Sequence, residues 1–272
     1  MTGPSARAAA ILEEWRLTPD GPAFAGTTAH VLPVRTDAGE RAVLKLGRER
    51  TDEHLALQRW SGGGAVRMLR ADPGRGALLL ERLGAEDLGE HWDVQACEVV
   101  GDLYRRLHVA AGPQLAPLSF LCTAWADELS VADLPMPRRM VEQARALARD
   151  LASDEATDGV LIHTDLHYGH VLAARDDDGW RAIAPKPLAG DPHYEPAPLL
   201  WSRWDELAGR VRAGVRDRFL AVVDAAGLDE HRARDWVIVR TVVAVLEEVR
   251  DRSTPDRARI TALLAIAKAV QD

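Results

Sequence analysis

Cysteine is nearly missing. The 272 residues hold only Cys97 and Cys122, with no C-x-x-C spacing. That excludes a disulfide framework and a cysteine-ligated zinc site, and it fits a reducing compartment. Long apolar runs are missing too: no window approaches the ~18 continuous residues of a membrane span. The opening MTGPSARAAAILEEW is interrupted by Glu13 and Glu14 before a signal-peptide core can form. No Lys/Arg run stands apart, so nucleic acid is not an expected partner. There is no internal repeat and no low-complexity linker. We expect a soluble, cytoplasmic, membrane-free protein, and the sequence does not address its oligomeric state.

What is present is ordinary globular chemistry: 47% hydrophobic and 28% charged residues, with a net charge of −8. The acidic balance mildly favours a cationic small-molecule substrate, although solubility alone also accounts for it.

The pattern changes along the chain. Residues 5–15 carry Ala8, Ile11, Leu12 and Trp15 on one helical stripe. Short β-like runs follow at 30–34, 42–46, 65–69 and 77–83, with a hairpin loop at 35–41 and a helix at 51–60. Gly62 to Gly64 end that helix. From residue 94 the period is helical: Val94, Cys97, Val100, Leu103, Tyr104 and Leu107 form an i/i+3/i+4 stripe, and 138–152 repeats it. Short runs at 158–162, 171–175 and 180–184 come next, the last two joined as a hairpin by 176-DDDG-179. Helices are expected at about 196–209, 211–226, 231–250 and 257–270. This is an α+β chain: a β-rich lobe over 1–83, and a helical lobe over 84–272 carrying the chemistry.

Several constellations bear on function. Lys45 lies in the apolar strand 42-AVLKL-46, where a half-buried ammonium needs an anion. Glu53, on the following helix, is the candidate partner; the alternative is a solvent-facing lysine on an edge strand. The stretch 24-FAGTTAHVL-32 offers backbone N–H groups to phosphates but lacks GxGxxG or Walker A spacing, so it also reads as an ordinary loop. The run 78-LLLERL-83 is a core strand whose end is able to face an adenine edge. Most informative is 163-HTDLHYGH-170. Asp165 follows a buried-looking run and is flanked by His163 and His167, an arrangement suited to orienting a hydroxyl and accepting its proton. Four of nine histidines fall between 163 and 193.

Taken in order, Lys45, Glu53, 78-LLLERL-83, 104-YRRLH-108, 163-HTDLHYGHVL-172 and 182-AIAPKPLAGDPHYEPAPLLWSRWDEL-207 resemble the streptomycin 6-phosphotransferase and hydroxyurea phosphotransferase family. These are aminoglycoside-phosphotransferase-like small-molecule kinases of actinobacteria, linked to antibiotic resistance and secondary metabolism. The resemblance runs from Trp15 to the C-terminal helices. It implies a bilobal protein-kinase-like fold, ATP and Mg2+ as cofactors, and phosphorylation of a small-molecule hydroxyl. Lys45 would contact nucleotide phosphates and pair with Glu53. Residues 81–83, including Glu81 and Leu83, would form the adenine hinge. Asp165 would be the catalytic base.

The resemblance also implies two metal ligands, an Asn five residues after Asp165 and an Asp in an I-D-P-K segment. His170 and Ala184 stand at those positions. Glu195 stands where the family more often has Asp, and 241-TVVAVLEEV-249 lacks the polar-then-aromatic pattern expected there. Ala184 supplies no ligand, and a histidine nitrogen suits zinc, copper or nickel better than magnesium. Asp191 is the nearest substitute carboxylate by sequence. Three readings follow: a phosphotransferase with a rearranged metal site, a pseudokinase, or a cleft reused for acid–base chemistry by Asp165 with His163, His167, His170 and His193. For the acceptor, 201-WSRWDEL-207 places Trp201, Trp204 and Asp205 as candidates to hold a cationic, partly apolar ligand. The competing view puts both tryptophans in the core and Asp205 on the solvated face.

Overall fold

The computed structural model describes residues 6–26, 28–47, 51–177 and 179–271. Ser5, Thr27 and Asp178, which belong to the expected first helix, phosphate loop and hairpin tip, lie outside them.

Alternation along residues 41–47 organises the first unit. Helix α1 (Ala6–Glu14) is followed by strands β1 (Thr18–Pro19), β2 (Phe24–Ala25), β3 (Ala29–Arg35) and β4 (Arg41–Gly47). Then come α2 (Glu53–Trp60), β5 (Met68–Asp72) and β6 (Ala77–Glu81). The sheet order is β1-β3-β4-β6-β5, with β2 also pairing β3, and every pairing is antiparallel. On β4, Ala42, Leu44 and Leu46 share one face and pack into a core with Ala8, Ile11, Leu12 and Trp15. The period of two sends Lys45 to the opposite face. β5 begins later than the 65–69 run implies. Gly62 and Gly64 both take positive φ, and a bulge between Met68 and Arg70 resets the register.

The second unit is mostly helical. It contains α3 (Asp93–Leu107), α4 (Leu118–Val131), α5 (Arg138–Ala152) and β7 (Val160–Ile162). In chain order a hairpin of β8 (Val171–Ala173) and β9 (Trp180–Ala182) follows, most of it belonging to the first unit, and then β10 (Leu188–Gly190), which pairs antiparallel with β7. The chain ends in α6 (Ala197–Trp201), α7 (Val211–Ala226), α8 (Glu230–Asp251) and α9 (Arg257–Ala269). Leu118, Cys122, Leu151, Ile162, Trp236 and Val239 form a core shared by α4, α5, β7 and α8. A side chain at Gly101 of α3 would sit 2.5 Å from Ala225 Cβ, so glycine lets α3 and α7 approach closely.

The units divide between Glu86 and Asp87, and Leu172–Arg181 goes with the first. The expected boundary after residue 83 is displaced because backbone hydrogen bonds bind Gly84 N–H to Ala173 O (2.8 Å) and Ala173 N–H to Glu86 O (2.9 Å). The helix expected over 196–209 also breaks. Arg203 takes φ 53°, and a 3-10 turn over Trp204–Leu207 follows. Buried Arg218 draws the Ser202 carbonyl to itself at 2.8 Å while pairing with Asp93 at 2.8 Å. Among the described residues no helix is long and apolar enough to cross a membrane.

Candidate active site

The loop after β7 is held from below by one carboxylate. Glu195 is fully buried. Its Oε1 accepts the His163 N–H at 2.5 Å and its Oε2 accepts the Thr164 N–H at 2.9 Å. Burial opposes its charge, but these bonds and the imidazoles of His108 and His163 outweigh burial and hold the carboxyl below its ordinary range. Thr164 takes φ 64°, a conformation costly for a β-branched residue. Its hydroxyl donates to Lys186 O at 2.7 Å, and its carbonyl accepts from Arg240 at 2.8 Å. The next residue, Asp165, is presented by this fixed turn.

Asp165 has one dominant neighbour. Lys186 Nζ lies 2.9 Å from Asp165 Oδ2, with the Asp165 side chain 26% and the Lys186 side chain 65% exposed. Burial pushes the Asp165 carboxyl up, yet the ammonium and the two nearby imidazoles prevail and keep it below the ordinary value. His170 Nδ1 donates to the Asp165 carbonyl at 2.7 Å and lies 3.9 Å from Oδ2. The His167 and His170 rings are 3.9 Å apart between centroids. Partial burial, reinforced by His170, pulls His167 down to about 4, so it is neutral at pH 7. His167 Nδ1 accepts the Gly169 N–H at 3.2 Å and caps the 3-10 turn Tyr168–His170.

Not every expected site residue gathers here. His163, expected as an acid–base group, is fully buried: Nε2 donates to Ile183 O at 3.0 Å and Nδ1 accepts the Asp165 N–H at 3.3 Å. Burial pulls it down to about 4, and it braces the loop as a neutral ring. Asp191, expected as a substitute metal ligand, is buried under donors from another quarter. Its Oδ1 accepts from the His193 backbone and ring, and its Oδ2 from Arg232 (2.5 Å) and Trp236 (2.6 Å). His193 is committed as well, because its Nε2 accepts the Asp229 N–H at 3.0 Å. Trp201 lies 5.2 Å from the Arg240 guanidinium, Trp204 is half-buried, and Asp205 is exposed.

In the first unit, Lys45 Nζ donates to both Glu53 oxygens, at 2.8 and 2.7 Å. Glu81 turns its side chain back to accept the Arg67 N–H at 2.7 Å. Glu81 and Leu83 line a cavity of about 630 Å³ together with Arg41, Arg67, Arg82 and Arg181.

At the loop of the second unit, position 184 has no side-chain donor and position 170 offers a ring nitrogen, whereas magnesium prefers hard oxygens. Ala184 nonetheless takes φ 56°, a backbone state that favours Gly, Asn or Asp over Ala.

A family model for the aminoglycoside/hydroxyurea antibiotic resistance kinases matches residues 14–251. The chain belongs to that kinase family. It is 36% identical to a streptomycin 6-kinase of Streptomyces glaucescens, over 94% of this chain and 87% of the relative. It is 39% identical to a hydroxyurea phosphotransferase of Kitasatospora aureofaciens, over 97% of this chain and 79% of the relative. Among solved structures, a choline/ethanolamine kinase family protein from Mesorhizobium loti superposes with a TM-score of 0.67 at 18% identity, covering 98% and 94% of the two chains. Aminoglycoside phosphotransferase APH(4)-Ia, in a ternary complex with ADP and hygromycin B, gives 0.63 at 16% identity, covering 98% and 99%. These two likenesses establish the α+β, protein-kinase-like fold expected from the sequence.

Glu195, Arg240 and Lys186 are the contributors that the sequence did not assign to the loop. Lys186 was legible as part of the P-K-P segment, although its role was not. Glu195 and Arg240 act on backbone atoms of Thr164 from far along the chain, and residue type alone carries no signal for that.

Proposed function

We propose that this chain transfers phosphate from ATP to a hydroxyl of an aminocyclitol-type small molecule, slowly, with Asp165 as the base. The observation that carries this reading is the presentation of Asp165 on a Glu195-pinned turn beside Lys186, within a chain that matches this kinase family over most of its length. Asp165 takes the proton of the acceptor hydroxyl as its oxygen attacks the γ-phosphorus. The bond to the β,γ-bridging oxygen breaks, and ADP leaves. The exposed Lys186 ammonium supplies positive charge beside the reacting groups. Lys45, fixed by Glu53, is the group proposed to engage the nucleotide phosphates. The acceptor is cationic under this reading, in keeping with the net charge of −8.

Slowness follows from the donor set. Phosphoryl transfer depends on positioning and charge stabilisation, to which Mg2+ ordinarily contributes. Position 184 offers no side-chain ligand to such an ion, and each ~1.4 kcal/mol of lost stabilisation is about tenfold in rate.

One observation favours a second reading, binding without turnover. Asp165 Oδ2 is already paired with Lys186. A third reading, acid–base chemistry by the histidine cluster, is weaker, because His163 and His193 have both ring nitrogens engaged in the scaffold.

The test is transfer of labelled γ-phosphate from ATP to streptomycin, with hydroxyurea as a second acceptor. Slow transfer to either, reduced at least ~100-fold by Asp165→Asn, is the expected result. ATP raising the melting temperature with no transfer would establish the second reading. No effect of ATP at all would remove both.

A further inference from the structure

We propose that Asp165, His167 and His170 form a site for one divalent transition-metal ion of borderline softness, such as Zn2+, Co2+ or Ni2+. One donor atom from each residue lies within 4.8 Å of the other two. A tetrahedral zinc ion with Zn–N bonds of about 2.05 Å holds its ligands roughly 3.3 Å apart, so convergence needs side-chain movements on the order of 1 Å. Two imidazoles and one carboxylate are the donor set that borderline divalent ions prefer and that magnesium does not.

The local hydrogen bonds prepare the site. His170 Nδ1, 3.9 Å from Asp165 Oδ2, is tied to the Asp165 carbonyl at 2.7 Å; ligation through Nε2 keeps that bond, and ligation through Nδ1 gives it up. A backbone carbonyl on the far nitrogen is a common support for a metal-bound histidine. At His167, ligation through Nδ1 gives up one 3.2 Å hydrogen bond from Gly169, and ligation through Nε2 requires the other tautomer. The Asp165 carboxylate is shared with Lys186, whose exposed side chain is free to swing out. Lys186 is therefore the competitor of the metal. Three protein ligands leave a fourth position open to water, a hydroxyl or a phosphate oxygen. Under the proposed function, an ion held here also engages Asp165, so it restrains Asp165 as a base. The site itself needs no nucleotide and stands apart from turnover.

The experiment uses the full chain without a histidine tag, stripped with chelator. Zn2+ binding is read by calorimetry, and Co2+ binding by ligand-field absorption. One ion per chain is expected. His170→Ala and His167→Ala each abolish the cobalt spectrum and weaken Zn2+ by at least about tenfold. Lys186→Ala tightens binding several-fold, an effect opposite in sign that loss of folding cannot imitate. His231→Ala, an exposed histidine elsewhere, leaves binding unchanged. Failure to saturate at one equivalent, or parent-like binding by both histidine variants, overturns the site. So does an unchanged affinity in Lys186→Ala.

Discussion

Glu195 holds Thr164 by its backbone: Oε2 accepts the Thr164 N–H at 2.9 Å while Thr164 sits at φ 64°. Among the described residues it is the β-branched residue with positive φ. The strain is offset by three partners, Glu195, Lys186 and Arg240, all acting on this one residue. Replacing Glu195 by Ala strands two buried N–H groups. A loss of about 3 kcal/mol is expected in urea unfolding. A loss within ~0.5 kcal/mol of zero would show that the loop is held by other means.

Ala184 gives a second stability prediction, and a gain is the expected direction. At φ 56° an L-residue carries a penalty of roughly 1 kcal/mol that glycine does not. Ala184→Gly is expected to raise the melting temperature, Ala184→Asp to leave it unchanged or higher, and Ala184→Val to lower it. Thermal unfolding of the three side by side decides the order.

These two positions show what the sequence made legible. Local patterns were readable: the alternation that places Lys45 opposite Ala42 and Leu44, the spacing that puts Glu53 within reach of it, and the histidine-flanked Asp165. Bonds to backbone atoms were not. Glu195 reaches back to residues 163 and 164, and Arg240 to Thr164, and no residue pattern encodes such targets. Burial was equally hidden. His163, Asp191 and His193 looked like chemistry, and the structure gives each a scaffold partner, Ile183, Trp236 and Asp229, that lies well away in the chain. Helix α4 escaped notice because its outward side also carries large apolar residues, Phe120 and Val131, which blur the stripe of Leu118, Cys122, Ala126 and Leu129.

Acid should destabilise the fold through the bracing histidine. His163 titrates near 4 in the folded chain and near 6.5 when unfolded. The unfolded state therefore binds the extra proton between those values. The stability is fully present above pH 6.5 and is lost as pH falls toward 4. His167, also drawn down to about 4, adds in the same direction. Near pH 5.5 His163 and His167 together are expected to add about two protons to the uptake on unfolding, and His163→Gln to lower that uptake by about one. Calorimetry in buffers of different ionisation enthalpy measures the difference.

Lys45 and Glu53 carry the nucleotide half of the proposal. Glu53→Gln removes the anion that holds the ammonium at 2.7–2.8 Å. ATP affinity is expected to fall about tenfold, equivalent to ~1.4 kcal/mol, with little change in the affinity of the acceptor. Equal losses for ATP and acceptor would point to general damage rather than to a nucleotide contact.

The most direct test places at positions 170 and 184 the Asn and Asp that the family resemblance implies. The double variant His170→Asn, Ala184→Asp is compared with the parent for magnesium-dependent ATP binding and for phosphate transfer to streptomycin. Mg-ATP binding that the parent does not match is expected of the double variant, with transfer at least about tenfold faster. A parent that already binds Mg-ATP and transfers phosphate as well as the double variant would contradict that expectation.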